Sequence, residues 1–328
     1  MSLYLTYRSH TFDDIVEQTH ITTILKTHVM HPPSRTNYLF YGPRGTGKTS
    51  CARIFARGLN CLSPRNGSPC NTCNNCMQTD PTKERESFDI IEIDAASQTG
   101  VDNVREEIIA KAIFPPTGGM KKKVYIIDEV HMLSKSAFNA LLKIMEEPPN
   151  HVVFILATTE IHKVIPTILS RCQIYTFHHI SQQGICNRLR HIATQEHITI
   201  DDPSLALLAK MSGGCMRDAI KYLDQVALPG ISITPSHITS MLGIASDADI
   251  NHLISLILSH DQTAITTIQS LLDQGILLDT LLDDLALRAS TNLATAKQIL
   301  SFVLTVRQTK KYLPTSILAC IYALTQNG

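Results

Sequence analysis

Five short, mainly apolar runs punctuate the first half of the chain, at 38–41, 89–93, 123–127, 152–157 and 174–177. Runs of this length and character read as strands buried on both faces. Between them apolar residues recur at helical spacing, as at Cys51, Ile54, Phe55 and Leu59, or at Phe138, Leu141, Leu142 and Met145. The alternation predicts an α/β fold over 1–178, a parallel sheet with helices on both faces. After Phe177 the strand-like runs almost stop. Segments 181–195, 203–211 and 216–228 read as helices, the last two parted by Gly213 and Gly214, and define a small helical unit over 179–239. The stretch 240–328 is Leu- and Ile-rich and reads as helical throughout. Leu253, Leu256 and Ile257, then Leu271 and Leu272, then Leu277, Leu278, Leu281, Leu282 and Leu285 give it wide apolar faces. Such faces suit a helical bundle that packs against other subunits.

Composition narrows the function classes. The 328 residues are 44% hydrophobic, enough for real cores in two or three units. Lys plus Arg and Asp plus Glu both number 29, so bulk charge does not hold nucleic acid, and any DNA contact is local. Trp is absent and aromatics are 5%, which argues against a stacking platform for single strands. The longest apolar run, 152–157, is far too short to span a bilayer, so no membrane role is expected. The start of the chain lacks the basic residues and apolar stretch of a secretory signal, and a cytoplasmic location is expected.

The chemistry begins at 42–49, where Gly42, Pro43, Arg44, Gly45, Thr46, Gly47, Lys48 and Thr49 form a complete phosphate-loop motif between a strand and an amphipathic helix. Glycines let backbone N–H groups wrap phosphates, the helix N-terminus adds a favourable dipole, Lys48 meets the outer phosphates and the Thr49 hydroxyl ligates magnesium. ATP with Mg²⁺ is therefore the expected ligand. Strand 123–127 runs into Asp128 and Glu129. A carboxylate pair there suits magnesium binding by Asp128 and water activation by Glu129.

Nine Cys is an odd number, and four of them cluster at Cys61, Cys70, Cys73 and Cys76. In a reducing compartment that points to metal rather than disulfides. Two-residue gaps let sulfurs converge on one tetrahedral ion, and Pro, Gly and Asn between them fold a tight knuckle, which favours structural Zn²⁺. An iron–sulfur cluster is the rival, but no Cys-Pro follows the run. Cys51, Cys172, Cys186, Cys215 and Cys320 stand alone and read as small buried residues.

With these motifs in hand, the sequence resembles the clamp-loader ATPases of the AAA+ superfamily, in their bacterial DNA polymerase III gamma/tau branch. The likeness spans nearly the whole chain and is strongest over 38–172. Besides the phosphate loop and the knuckle it includes Asp-Glu-Val-His-Met-Leu-Ser at 128–134, Phe-Asn-Ala-Leu-Leu-Lys at 138–143, Glu-Glu-Pro-Pro at 146–149, Leu-Ala-Thr-Thr at 156–159 and Ser-Arg-Cys at 170–172. It implies an AAA+ P-loop sheet with a zinc knuckle, a helical lid and an all-α collar. It also implies that Arg171 is an arginine finger for the neighbouring subunit's γ-phosphate, that Thr158 (or Thr159, one residue on) is a first sensor, and that Arg217 is a second. The implied partners are copies of this chain, delta-like and delta-prime-like subunits, a sliding clamp and primer-template DNA. The implied activity is ATP-driven loading of that clamp in replication; DNA-directed DNA polymerase activity would attach only through the holoenzyme.

Three features depart from the family pattern. Arg8-Ser9 and Val16-Glu17-Gln18 stand where Arg-Pro and Val-Gly-Gln are usual, which leaves the adenine side open. Gly214-Cys215-Met216 replaces Gly-Ser-x before Arg217. The chain ends at Gly328, where a gamma-type product or a paralogue without the tau extension would end. A non-hydrolysing scaffold subunit and a different AAA+ machine remain the alternatives.

Overall fold

Five parallel strands form one sheet, in the order β2-β3-β4-β1-β5. They are β1 (Asn37–Tyr41), β2 (Ile90–Asp94), β3 (Lys123–Asp128), β4 (Val152–Thr158) and β5 (Gln173–Thr176). The structure, a computed structural model, describes residues 2–33, 37–80, 87–97, 108–227, 230, 232–259, 261, 263–289 and 293–309. Cys320 and the end of the expected collar lie outside them.

Alternation along the strands shows why the runs are continuously apolar. Val152, Phe154 and Leu156 of β4 face one core, with Leu39, Tyr125 and Ile127, whereas Val153, Ile155 and Ala157 face a second, with Tyr38, Phe40, Val124 and Ile126. Both faces are covered, so neither alternate set can be polar. Helix α5 (Lys135–Glu146) closes the first face through Ala137, Phe138, Leu141 and Met145. Helices α2 (Thr19–Met30) and α3 (Lys48–Asn60) close the second, through Ile21, Leu25 and Val29 and through Cys51, Ile54, Phe55 and Leu59. Short helix α4 (Asn74–Gln78) packs on α3, α6 (Pro166–Leu169) packs on α5 and joins the first core through Ile168, and a further short helix, α1 (Leu3–Thr6), opens the chain.

Beyond β5 the chain is helical. α7 (Gln182–Gln195) begins at Ser181, whose hydroxyl accepts the Gly184 N–H at 3.0 Å. α8 (Asp202–Met211) and α9 (Met216–Val226) follow, parted by Gly213 and Gly214. Then come α10 (Pro235–Leu242), α11 (Asp247–Leu258), α12 (Thr263–Asp273), α13 (Leu278–Ala289) and α14 (Leu293–Thr309). The described chain divides into two compact units, Met1–Glu196 with Leu205–Asp224, and His197–Ser204 with Gln225–Gly328. The second unit has its own core of Ile250, Leu253, Ile257, Leu271, Leu281, Leu285, Phe302 and Val306. Leu277, counted in the apolar face on sequence, is exposed. Among the described residues no single helix is long and apolar enough to cross a membrane.

Candidate active site

Strand order builds the site. β4 lies between β3 and β1, so the carboxyl ends of these three strands stand in a row about 4.8 Å apart. Asp128 ends β3, Thr158 ends β4 and the phosphate loop leaves β1. Open parallel sheets place ligands at this edge. In the loop, Gly45 (φ +72°) and Gly47 (φ +100°) take left-handed conformations that L side chains rarely adopt. Gly45 also passes so close to the Cys215 side chain that a Cβ there would collide with its sulfur, and its carbonyl accepts the Met216 N–H at 3.1 Å.

Lys48 is buried and donates to the carbonyls of Gly42 and Pro43, both at 2.7 Å. Burial lowers its pKa, and the carboxylates of Glu129 and Asp128 pull it partly back. The Thr49 hydroxyl donates to Asp128 Oδ2 at 2.6 Å. A hydroxyl and a carboxylate oxygen side by side are the hard donors that Mg²⁺ takes. Glu129 has φ +46°, unusual for a residue with a side chain, and its own N–H donates to Asp128 Oδ1 at 2.9 Å. The Glu129 carboxylate accepts through Oε2 from the Thr159 hydroxyl at 3.1 Å and from the Thr159 N–H at 3.4 Å. Thr158 is fully buried. Its hydroxyl oxygen accepts the Glu160 N–H at 3.0 Å and lies 3.0 Å from His131 Nδ1, and its carbonyl accepts the Gly42 N–H at 3.3 Å.

A cleft of about 940 Å³, counting its open mouth, is lined on its floor by Gly45 to Ser50, Asp128 and Glu129. Its far wall comes from the N-terminal segment and the helices beyond β5, including Tyr4, Arg8, Ile15, Val16, Arg188 and Ile220. Arg217 belongs to this wall and lies over the Tyr4 ring at 4.8 Å. Burial lowers the Arg8 pKa, with Arg53 adding to it, and neither Arg8 Nε nor Arg217 Nε has a hydrogen-bond partner among the described residues. Two buried guanidinium N–H groups without acceptors suit an anionic ligand such as a nucleotide.

Arg171 is elsewhere. It precedes β5, pairs with Glu146 and donates from Nη1 to the Thr167 carbonyl at 2.6 Å. The register Tyr38 with Gln173 and Tyr41 with Thr176 puts it at the amino edge of the sheet. Roughly 15 to 20 Å of strand rise then separates it from the phosphate loop, beyond one side chain's reach.

The four cysteines converge. All four sulfurs lie within 4.8 Å of one another, with Cys61 to Cys73 at 3.9 Å and Cys70 to Cys76 at 4.0 Å. Tetrahedral bonds of about 2.3 Å to one zinc put sulfurs about 3.8 Å apart, which the spacing fits. Although burial pushes the Cys70 thiol up, hydrogen bonds from Thr72, from the Cys73 N–H and from Cys61 bring it down to about 5. Cys51, Cys172 and Cys215 are buried and Cys186 is half-buried.

Residues 17–181 match a family model described as DNA polymerase III, delta subunit, and 184–230 match one described as DNA polymerase III clamp loader subunit, ATPase lid domain. The chain belongs to the DNA polymerase III clamp-loader subunits. This clamp-loader chain is 43% identical over 278 residues to DNA polymerase III subunit tau of Bacillus subtilis, covering 84% of itself and 48% of that protein. It is 44% identical to subunit tau/gamma of Haemophilus influenzae, covering 74% of itself and 34% of that protein. Against subunit tau of Escherichia coli the figures are 42%, 74% and 37%. It thus spans about half, or less, of the length of these curated relatives. Solved structures of Thermotoga maritima RuvB, titled a Holliday junction branch migration motor, share its AAA+ fold. One has a TM-score of 0.54 and 18% identity, covering 76% of this chain and 79% of that one; a point mutant of the same motor has 0.56 and 17%, covering 84% and 88%.

For this clamp-loader chain, the motif residues that the sequence singled out at the phosphate loop and after β3 come together. Tyr4, Ile15, Ile180 and Ile220 in the cleft wall carry no motif, and only their convergence in three dimensions reveals them. His131 stood inside a recognised motif, yet its place between two carboxylates needed the folded chain.

Proposed function

We propose that this chain is an ATPase subunit of a DNA polymerase III clamp loader. ATP and Mg²⁺ bind at the phosphate loop, the clamp is opened and placed on primed DNA in the ATP state, and hydrolysis releases it. The meeting of Thr49, Asp128 and Glu129 at one sheet edge, in a chain of this family, carries the reading. Backbone N–H groups of 44–47 and Lys48 would hold the phosphates, and Thr49 with Asp128 would hold Mg²⁺, which would supply charge neutralisation. Glu129 polarises the attacking water. Thr158 and Arg217 are assigned as sensors of the nucleotide. Arg171, too far from its own loop, serves the loop of a neighbour, so hydrolysis depends on assembly. Cys61, Cys70, Cys73 and Cys76 hold a structural zinc in a closed site.

In the same reading, 1–178 is the ATPase domain, 179–239 the lid and 240–328 the collar that joins copies of this chain to delta-like and delta-prime-like subunits, in the cytoplasm. The lid match at 184–230 supports the middle boundary. Mixing the purified chain with these subunits, the clamp and primed DNA tests the whole. Stimulated ATP turnover is expected, and no stimulation would overturn the proposal.

A further inference from the structure

His131 occupies a place that the proposed function does not use. It lies on the single turn Val130–Met132 that follows β3, next to the end of β4. Neighbouring parallel strands stand about 4.8 Å apart, so a residue just past one meets the last residue of the other. Only 6% of the His131 side chain is exposed, and both ring nitrogens have partners. Nδ1 lies 3.0 Å from Thr158 Oγ1 and 3.4 Å from Glu129 Oε2, and Nε2 lies 3.3 Å from Glu160 Oε1. A nearly enclosed imidazole is costly to bury unless its polar atoms are partnered; here Nδ1 is within hydrogen-bond distance of Thr158 Oγ1, and the carboxylates of Glu129 and Glu160 stand at ion-pair distance from Nδ1 and Nε2.

The ring thus joins three groups that the strands present separately. Thr158 is already tied to the phosphate loop, because its carbonyl accepts the Gly42 N–H. Glu160 is held on its outer side by Lys163 at 2.8 Å. Glu129, by contrast, leaves β3 in a left-handed conformation and hangs on contacts made through Oε2, from Thr159 and His131. Strained backbone persists where surrounding contacts over-determine it, and such sites cluster at functional groups.

We propose that His131 is a positioning residue for ATP hydrolysis: through Nδ1 it ties the Glu129 carboxylate to Thr158, while Glu160 on Nε2 fixes the plane of the ring. It does not itself touch the phosphates or the water. This rests on the reading of Glu129 as the water-activating carboxylate. Misplacing such a group by about 1 Å costs on the order of 100-fold in rate without weakening substrate binding.

Steady-state and single-turnover ATP hydrolysis by the full chain with its partners tests the assignment. His131→Ala should lower kcat by about 10- to 100-fold and leave KM and ATP affinity within about twofold. His131→Asn keeps a donor near the Nδ1 position and should recover most of the rate, whereas His131→Gln, which reaches only towards Glu160, should not. Glu129→Gln with His131→Ala should be no slower than Glu129→Gln alone. Wild-type turnover in His131→Ala would overturn the role. So would parallel losses of rate, ATP affinity and melting temperature that Asn fails to rescue, because those mark a purely structural residue. A second readout is independent of hydrolysis. In histidine-labelled chain the His131 ring resonances should shift on Glu129→Gln and on Glu160→Gln, and their constancy would overturn the contacts. If the wild-type assembly hydrolyses no ATP while those shifts occur, the ATPase reading falls and the catalytic role of His131 falls with it, but the bridge stands.

Discussion

Glu17 shows how one residue can carry both strain and its compensation. Its φ of +59° is a glycine-like conformation, yet its carboxylate accepts the Ser181 N–H at 2.7 Å and the Ser181 hydroxyl at 2.5 Å, at the start of α7. A carboxylate at a helix N-terminus gains from the dipole and satisfies an orphan donor. Glu17→Ala keeps the strain and loses the acceptor, so it should lower stability by about 1–2 kcal/mol in urea unfolding. Glu17→Gly loses the acceptor but relieves the strain, and should lower it by clearly less. Equal losses would contradict the account. The sequence marked Glu17 as standing where the family has Gly, but its partner lies 164 residues away and left no local trace. Asp14 is a second case. Burial pushes its carboxyl up, but donors from Thr11 and His10 outweigh this and hold it below the usual carboxylate range. A depressed folded pKa gives stability that is present above the unfolded value of about 3.9 and lost as pH falls through the folded one. Asp14→Asn should therefore be less stable than wild type near neutral pH, with the gap closing as pH falls below the unfolded value of about 3.9.

Elements were legible where their burial is uniform. The central strands β3 and β4 are buried along almost their whole length, and their apolar runs marked them to within a residue. Helices of the second unit were recognisable as a class, but exposed Leu277 shows that apolar spacing alone does not say which residues face a core. The convergence of the four cysteines was legible because their two-residue gaps encode geometry. The knuckle's anchoring to the sheet was not. Asn60, at the end of α3, accepts the N–H groups of Lys121 and Lys122 at 2.9 and 2.8 Å, and its carbonyl accepts from Asn75 at 2.8 Å. The knuckle is thereby fastened to the entry of β3. Metal analysis of purified chain should find one zinc per chain, and Cys76→Ser should lose it. Wild-type chain without zinc would contradict the knuckle's assignment.

At the scale of the molecule the two halves of the proposed catalytic site lie on opposite edges of one sheet. The nucleotide end gathers Lys48, Thr49, Asp128 and Glu129, while Arg171 is held at the far edge by Asn37, which donates to its carbonyl at 3.3 Å, and by Glu146. The motifs identified both halves in the sequence, but only the register of β1 with β5 shows how far apart they fall. That separation puts Arg171 out of reach of its own phosphate loop, and under the proposed reading it acts on a neighbour's. Mixing Arg171→Ala chain with Glu129→Gln chain in assemblies with the partner subunits tests it most directly. Each variant alone should bind ATP and hydrolyse it on the order of 100-fold more slowly than wild type. Mixed assemblies should regain turnover, because an intact loop from one variant then faces an intact arginine from the other. Full activity of Arg171→Ala on its own, or no recovery on mixing, would contradict the intersubunit site.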